Sequence, residues 1–237
     1  MTESEFRLAY APGVTPGKWA GMWAERVREV PLQLIQTPTT EAVPLLRDGG
    51  VDAAFVRLPV DREGLHVIPL YLETTVVVVP KDHDMAAVEE VELADLADED
   101  VIEPLDDVLT WDERPGQPAF TRPATTAGAV ELVASGAGVL LVPQSLARLH
   151  HRKDLTYRTV NDSPQSQIGL AWLEGETSDL MEELIGIVRG RTPNSTRGRA
   201  PQQAKPQPQS QPGRKKPPQK NTAAGKQQQR RRPRRRA

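Results

Sequence analysis

Thr125 to Leu149 reads TTAGAVELVASGAGVLLVPQSLARL, and its punctuation is that of a helix, a tight turn, a buried strand and a second helix. Thr125 and Thr126 stand where a hydroxyl caps a helix over Ala127 to Ala134, and Gly136 and Gly138 stop it. Val139 to Val142 is apolar at every position, as a strand covered on both faces must be. Pro143 closes it, and a short helix runs from Ser145 to His151.

The same grammar recurs on either side. Phe6 to Ala11 is a strand ended by the Pro- and Gly-rich loop Pro12 to Gly17. Lys18 to Val30 then places Trp19, Met22, Trp23, Val27 and Val30 at helical spacing. Leu32 to Thr37 is a second strand, Thr39 or Thr40 caps a helix running to Asp48, and Gly49 and Gly50 stop it before a third strand, Val51 to Leu58. Strands alternating with helices of this length predict right-handed crossovers and a parallel sheet, so the body opens as α/β. Further strands are expected at Leu65 to Tyr71, Thr74 to Val79, Leu155 to Val160 and Ile168 to Leu173. A helix is expected at Leu93 to Ala97, and Pro115, Pro118 and Pro123 make the following stretch irregular. Ser178 or Asp179 caps a last helix whose apolar face is Leu180, Leu184, Ile187 and Val188.

Charge divides the chain more sharply than hydropathy does. Residues 1–190 hold 15 basic and 32 acidic side chains, and the last 47 residues hold the other 15 basic ones and no acid. A net charge of −2 therefore combines a body near −17 with a tail near +15. From about Arg191, Pro, Gln, Lys and Arg dominate and nothing is present to form a core, so 191–237 is expected to be a disordered tail. The absence of cysteine excludes a disulfide framework, thiolate metal sites and a cysteine nucleophile. Met1 to Glu5 lacks the basic and apolar regions that export requires, and no apolar run approaches the roughly 18 residues of a membrane span. A soluble cytoplasmic protein is expected.

Three stretches in order resemble a known family. Leu8 to Val30, followed by Leu32 to Leu58 with Gly49-Gly50-Val51-Asp52-Ala53-Ala54, resembles the first lobe of the effector-binding (substrate-binding) domain of LysR-type transcription regulators. Leu65 to Asp84, with VVVVPKDHDMA at its end, resembles that family's passage into its second lobe, and Thr125 to Leu149 is similar to its capped helix, Gly-x-Gly turn, strand and Pro-x-Ser helix start. The match covers about residues 6–190. It implies a two-lobed, periplasmic-binding-protein-like (type 2) α/β domain, with lobe 1 formed by 6–75 and 169–190 and lobe 2 by 76–168. It also implies a side-by-side homodimer and an output in transcription. The family's winged helix-turn-helix has no counterpart ahead of Phe6, so base-specific DNA reading by that element is not expected of this chain. The region from Ile102 to Pro123 is shorter and richer in Pro than the family's.

In such a domain a ligand sits between the lobes. Carried over by position, the ligand-binding candidates are Gly13, Val14 and Thr15, Thr39 and Thr40, and Arg57 in the first lobe, with Thr125 and Thr126 in the second. Hydroxyl and backbone donors near helix N-termini suit a small organic acid. Helix capping accounts equally well for each Thr, and Arg57 reads also as a surface charge at a strand end. Lys18 points to solvent, Trp19 and Trp23 fit packing, and His150-His151 closes a helix. Asp82, His83 and Asp84 have metal-ligand chemistry, but neighbours on an extended loop point apart, so neither a metal nor a cofactor is expected. No nucleophile elbow or phosphate-cradling loop is present, and catalysis is not expected.

The tail carries Arg214, Lys215 and Lys216, then Arg230, Arg231, Arg232, Arg234, Arg235 and Arg236. These suit salt-dependent contact with a DNA or RNA backbone without sequence preference, and with no aromatic residue beyond Trp172 base stacking is not on offer. Folding back onto an acidic body, or plain solubilisation, explains the same charges. The expected function is small-molecule sensing within a LysR-like regulator. The alternatives are a solute-binding or enzymatic member of the fold, or a nucleic-acid-associated interaction protein driven by the tail.

Overall fold

A computed structural model describes residues 5–175 and 177–191; the basic clusters at 214–216 and 230–236 lie outside the described residues. In chain order the elements are β1 (Phe6–Tyr10), α1 (Gly17–Arg26), β2 (Leu32–Gln36), α2 (Ala42–Arg47), β3 (Ala53–Leu58), β4 (Leu65–Glu73), β5 (Thr75–Pro80), β6 (Glu90–Val91), β7 (Asp100–Ile102), β8 (Gln117–Pro118), α3 (Thr126–Ala134), β9 (Val139–Pro143), α4 (Gln144–Leu149), β10 (Leu155–Val160), β11 (Ser166–Leu173) and α5 (Asp179–Val188). They form two sheets, ordered β2-β1-β3-β11-β4 and β6-β10-β5-β9-β7-β8. This is the two-lobed α/β architecture.

The chain passes between sheets twice, from Glu73 to Thr75 and from Val160 to Ser166. That corrects the parallel sheet expected for the first lobe. β1 is parallel to β2 and β3, but β11 is antiparallel to both β3 and β4. β4 leaves the first lobe and β11 returns to it, so as sheet neighbours they run in opposite directions without a crossover helix. The first lobe's sheet resumes at Ser166 rather than residue 169, and Thr75 already belongs to the second lobe's β5.

Each inner strand feeds two cores, because alternate side chains leave opposite faces. Phe6, Leu8 and Phe55 pack with Trp23 of α1 and with Leu184 and Ile187 of α5, while Ala9, Ala54 and Val56 pack with Leu46 of α2. In the second lobe Val76 and Val78 join Val130, Val133 and Leu146, and Val77 and Val79 join Met85, Leu96 and Val101. Each such fully buried aliphatic side chain contributes about 1.5–3 kcal/mol. A charge at Val77 would break this packing. Trp23 is a packing residue, as its spacing predicts: its ring lies 4.9 Å from that of Phe6 and its indole N–H donates to Val30 O at 2.8 Å.

Helix boundaries shift for local reasons. α1 ends at Arg26 instead of Val30, and Pro31 disfavours helical backbone at Val30 itself. Glu41 N donates to Pro38 O at 2.9 Å, which places Thr39 and Thr40 inside a turn; Glu41 is the N-cap of α2 and no side chain caps it. Thr125 does cap α3, its hydroxyl accepting from Gly128 N at 3.1 Å, and Ser178 caps α5, accepting from Met181 N at 3.2 Å. The helix expected at Leu93 to Ala97 is a single 3-10 turn, Leu93–Leu96, with a Glu92/Asp95 capping box.

Candidate functional site: the cleft between the lobes

The edges of the two lobes enclose a cleft of about 880 Å³. Thr39, Thr40 and Arg57 reach it from the first lobe, and Thr125 and Thr126 from the second. Five of the candidate residues thus share one cavity. Gly13, Val14 and Thr15 do not: they line a separate depression of about 1040 Å³ with Lys18, Trp19 and Tyr71.

Arg57 is not a surface charge. It is 3% exposed, and its guanidinium gathers groups from four parts of the chain. Nη1 pairs with the buried Glu73 carboxylate at the end of β4 and donates to Ser166 Oγ, the first residue of β11, at 2.8 Å. Nη2 donates to Pro12 O at 2.9 Å and to Ser145 Oγ on α4 at 3.1 Å. A buried guanidinium demands this much satisfaction, and only its Nε is left buried without a hydrogen-bond partner among the described residues. Its positive charge is neutralised by Glu73, and both terminal nitrogens are already bonded to protein.

Gly13 lies against the same junction. Its φ is +86°, and a Cβ there would stand 2.6 Å from Ser145 Oγ and 3.0 Å from Arg57 Nη2. The loop after β1 therefore requires glycine on both conformational and steric grounds.

The loop Leu105 to Thr110 forms the second lobe's rim of the cleft. Leu105 N donates to Pro123 O at 2.9 Å, Leu109 N donates to Asp107 Oδ1 at 3.0 Å, and Arg114 pairs with Asp107 while its guanidinium stacks over Trp111 at 5.6 Å. Asp106, next to that anchored pair, is exposed and accepts from Thr126 Oγ1 at 2.9 Å. Thr126 and Ala127 open α3, where the first N–H groups have no intrahelical acceptor.

Sequence reasoning missed Asp106, Glu73, Ser145 and Ser166. The Pro-bounded loop gives no periodicity from which to read the face it covers. A charged residue at the end of an otherwise apolar strand, Arg57 in AAFVRL and Glu73 in LHVIPLYLE, was the available signal for the ion pair. His83 has a local role: Nδ1 accepts from Met85 N at 3.2 Å and Nε2 lies 3.4 Å from Glu99. Among the described residues no three His, Cys, Asp or Glu side chains are grouped to hold a metal, and no helix is long and apolar enough to cross a membrane.

The model of the LysR substrate binding domain matches residues 4–193. A probable hydrogen peroxide-inducible genes activator of Mycobacterium avium is 31% identical over 193 residues, covering 75% of this chain and 60% of that protein. The HTH-type transcriptional regulator CatR of Pseudomonas putida is 31% identical over 171 residues, covering 68% and 58%. The chain spans 50 to 60% of the length of such curated relatives. Many solved structures share its fold, and two serve as examples. One is the oxidized form of OxyR, with a TM-score of 0.65 at 24% identity over 80% of this chain and 96% of that one. The other is the BenM effector binding domain with its effector benzoate, with a TM-score of 0.67 at 20% identity over 80% and 92%. With this match, the order of the two sheets and the cleft between them, the chain belongs to the LysR substrate-binding domain family, whose matched members are transcription regulators and not enzymes.

Proposed function

We propose that the two lobes form the sensing domain of a cytoplasmic transcription regulator, and that a small organic acid enters the cleft and shifts the balance between lobe arrangements. The observation that carries this reading is a cleft lined from both sides, by Thr39 and Thr40 on one lobe and Thr125 and Thr126 on the other. A ligand that touches both lobes binds their closer arrangement more tightly, and that difference in affinity is all that can move the equilibrium. Hydroxyl donors and the first turn of α3 suit a carboxylate. A size comparable to benzoate, the effector in the BenM structure, fits the volume. The charge and the terminal N–H groups of Arg57 are already engaged, which leaves its Nε–H, buried and without a partner among the described residues, as the donor that Arg57 has for a ligand.

Three of the curated relatives are named for hydrogen peroxide. This chain has no cysteine, so it offers no thiol for peroxide to oxidise, and reversible binding is the mode of sensing we assign. The output runs through a homodimer or a partner regulator. The tail, with 15 basic residues and no acid, adds nucleic-acid contact that is indifferent to sequence.

Two measurements test this. A panel of small carboxylates is screened by thermal shift on the full chain; a true effector raises Tm, and Thr39→Val and Thr126→Val each remove most of the rise. Fluorescence anisotropy with one random DNA duplex, across a salt series, compares the full chain with residues 1–190. The tail reading requires binding by the full chain only, weakening steeply as salt rises, and absence of binding at low salt refutes it.

A further inference from the structure

The cleft contains a carboxylate of its own. Asp106 lines it and is exposed, and among the described residues no cation pairs with it. Its neighbour Asp107 is different, being held by Arg114. Arg57, the one Lys or Arg side chain lining the cleft among the described residues, is balanced by Glu73. His150 lines the cleft as well, and with histidine counted as neutral the net formal charge facing a ligand is that of Asp106.

Asp106 also has a fixed place. Its Oδ1 accepts from Thr126 Oγ1 at 2.9 Å, beside the opening turn of α3. An anionic acceptor thus stands next to a set of backbone donors that suit an anion. A plain carboxylic acid approaching the α3 turn meets Asp106 as a like charge, whereas a molecule with a protonated nitrogen beside its carboxylate meets both groups with the matching sign. We infer that the effector carries an ammonium group adjacent to its carboxylate, and that Asp106 is the residue that selects it. The inference rests on the cleft reading proposed above, and it narrows the organic acid to an amino acid or a close analogue of one.

The test uses the full chain and three probes of one shape: phenylalanine, 3-phenylpropanoate, which lacks the amine, and 2-phenylethylamine, which lacks the carboxylate. Binding is followed by titration calorimetry at pH 7. Phenylalanine is expected to bind about tenfold more tightly than 3-phenylpropanoate, the sum of one attraction gained and one repulsion avoided at a partly solvated carboxylate. Asp106→Asn is expected to remove that preference by weakening phenylalanine and strengthening 3-phenylpropanoate. If 3-phenylpropanoate binds as tightly as phenylalanine, or Asp106→Asn leaves their ratio unchanged while Thr126→Val still weakens both, the role of Asp106 is overturned and the cleft stands. If no probe binds, or binding ignores both Thr39→Val and Thr126→Val, the cleft reading itself falls and takes this inference with it.

Discussion

Nη2 of Arg57, on β3 of the first lobe, donates to Oγ of Ser145, on α4 of the second, at 3.1 Å. The same guanidinium binds Glu73 and Ser166, the residues at which the chain leaves the first lobe and re-enters it. One buried side chain thus joins the wall of the cleft to both passages between the lobes.

Ser145→Ala removes the link while Nη2 keeps Pro12 O, so the expected loss of stability is small, about 1 kcal/mol. The larger effect is on lobe separation. Because the chain has no cysteine, spin labels at Ala24→Cys and Ala137→Cys, both exposed, report one interlobe distance. Its distribution broadens in the Ser145→Ala background. An unchanged distribution removes Arg57 from any role in positioning the lobes.

Gly13→Ala puts a Cβ into that same junction and holds the residue at a φ of +86°. The expected cost is about 1–3 kcal/mol. Part of it is a clash with the Ser145 hydroxyl, so Gly13→Ala with Ser145→Ala is less destabilised than the sum of the single variants. Urea unfolding of the four proteins measures the coupling.

Glu73→Leu leaves Arg57 buried without its counter-charge, and a loss of about 3–5 kcal/mol is expected in urea unfolding. Arg57→Met added to Glu73→Leu restores most of it, since an apolar pair of similar volume needs no charge compensation. A double variant no more stable than Glu73→Leu alone would show that the ion pair supplies more than mutual neutralisation.

Tyr71 is 37% exposed, and the partial burial of the rest of its ring, with the Glu73 carboxylate second, pushes the phenol up to about 12 against the opposing pull of Arg57. The unfolded chain ionises this group near 10. Between those values the unfolded state loses its proton first, so Tyr71 causes stability to fall as pH rises from 10 to 12, and it has no such effect below 10. Tyr71→Phe flattens that arm of the stability curve and abolishes a late phenolate absorbance near 295 nm. Glu73→Gln moves the absorbance change to lower pH.

Thr125→Ala is expected to cost about 1 kcal/mol through the lost cap on α3. Thr40→Ala, which removes no cap, stays within about 0.5 kcal/mol. If both lose effector binding while only the first loses stability, capping and ligand contact are separated at these positions.

Most of the fold was legible because it is written in local terms. Thr125, Gly136 and Pro143 mark helix start, helix stop and strand end through their own hydrogen bonding and backbone preference. The alternation of strand and helix up to Leu58 gave the α/β class. What stayed illegible depends on residues distant in sequence. Whether β11 runs parallel or antiparallel to β3 is decided by the return from the second lobe, and no feature of SQIGLAWL records it. The site divides in the same way. Thr39, Thr40, Thr125 and Thr126 were carried over by position from the family resemblance, as residues near helix starts, and all four line one cavity. Asp106 was hidden in a loop without a period, and the partners of Arg57 lie as far off as Ser145 and Ser166.

The place of β11 between β3 and β4 also sets an order of events during synthesis. Residues 75–160 form one continuous stretch that builds the whole of the second sheet from its own strands, so this lobe can fold as soon as it has left the ribosome. The first lobe is the earlier one to emerge and must wait. Until Leu173 is made, β3 and β4 each present an unpaired edge, Phe55 lacks the cover of Ile168, Leu170 and α5, and Val56 lacks that of Ala171. A nascent chain paused between Val160 and Ser166 therefore carries the open strand edges that attract other chains, and this interval is where a chaperone has the most to protect.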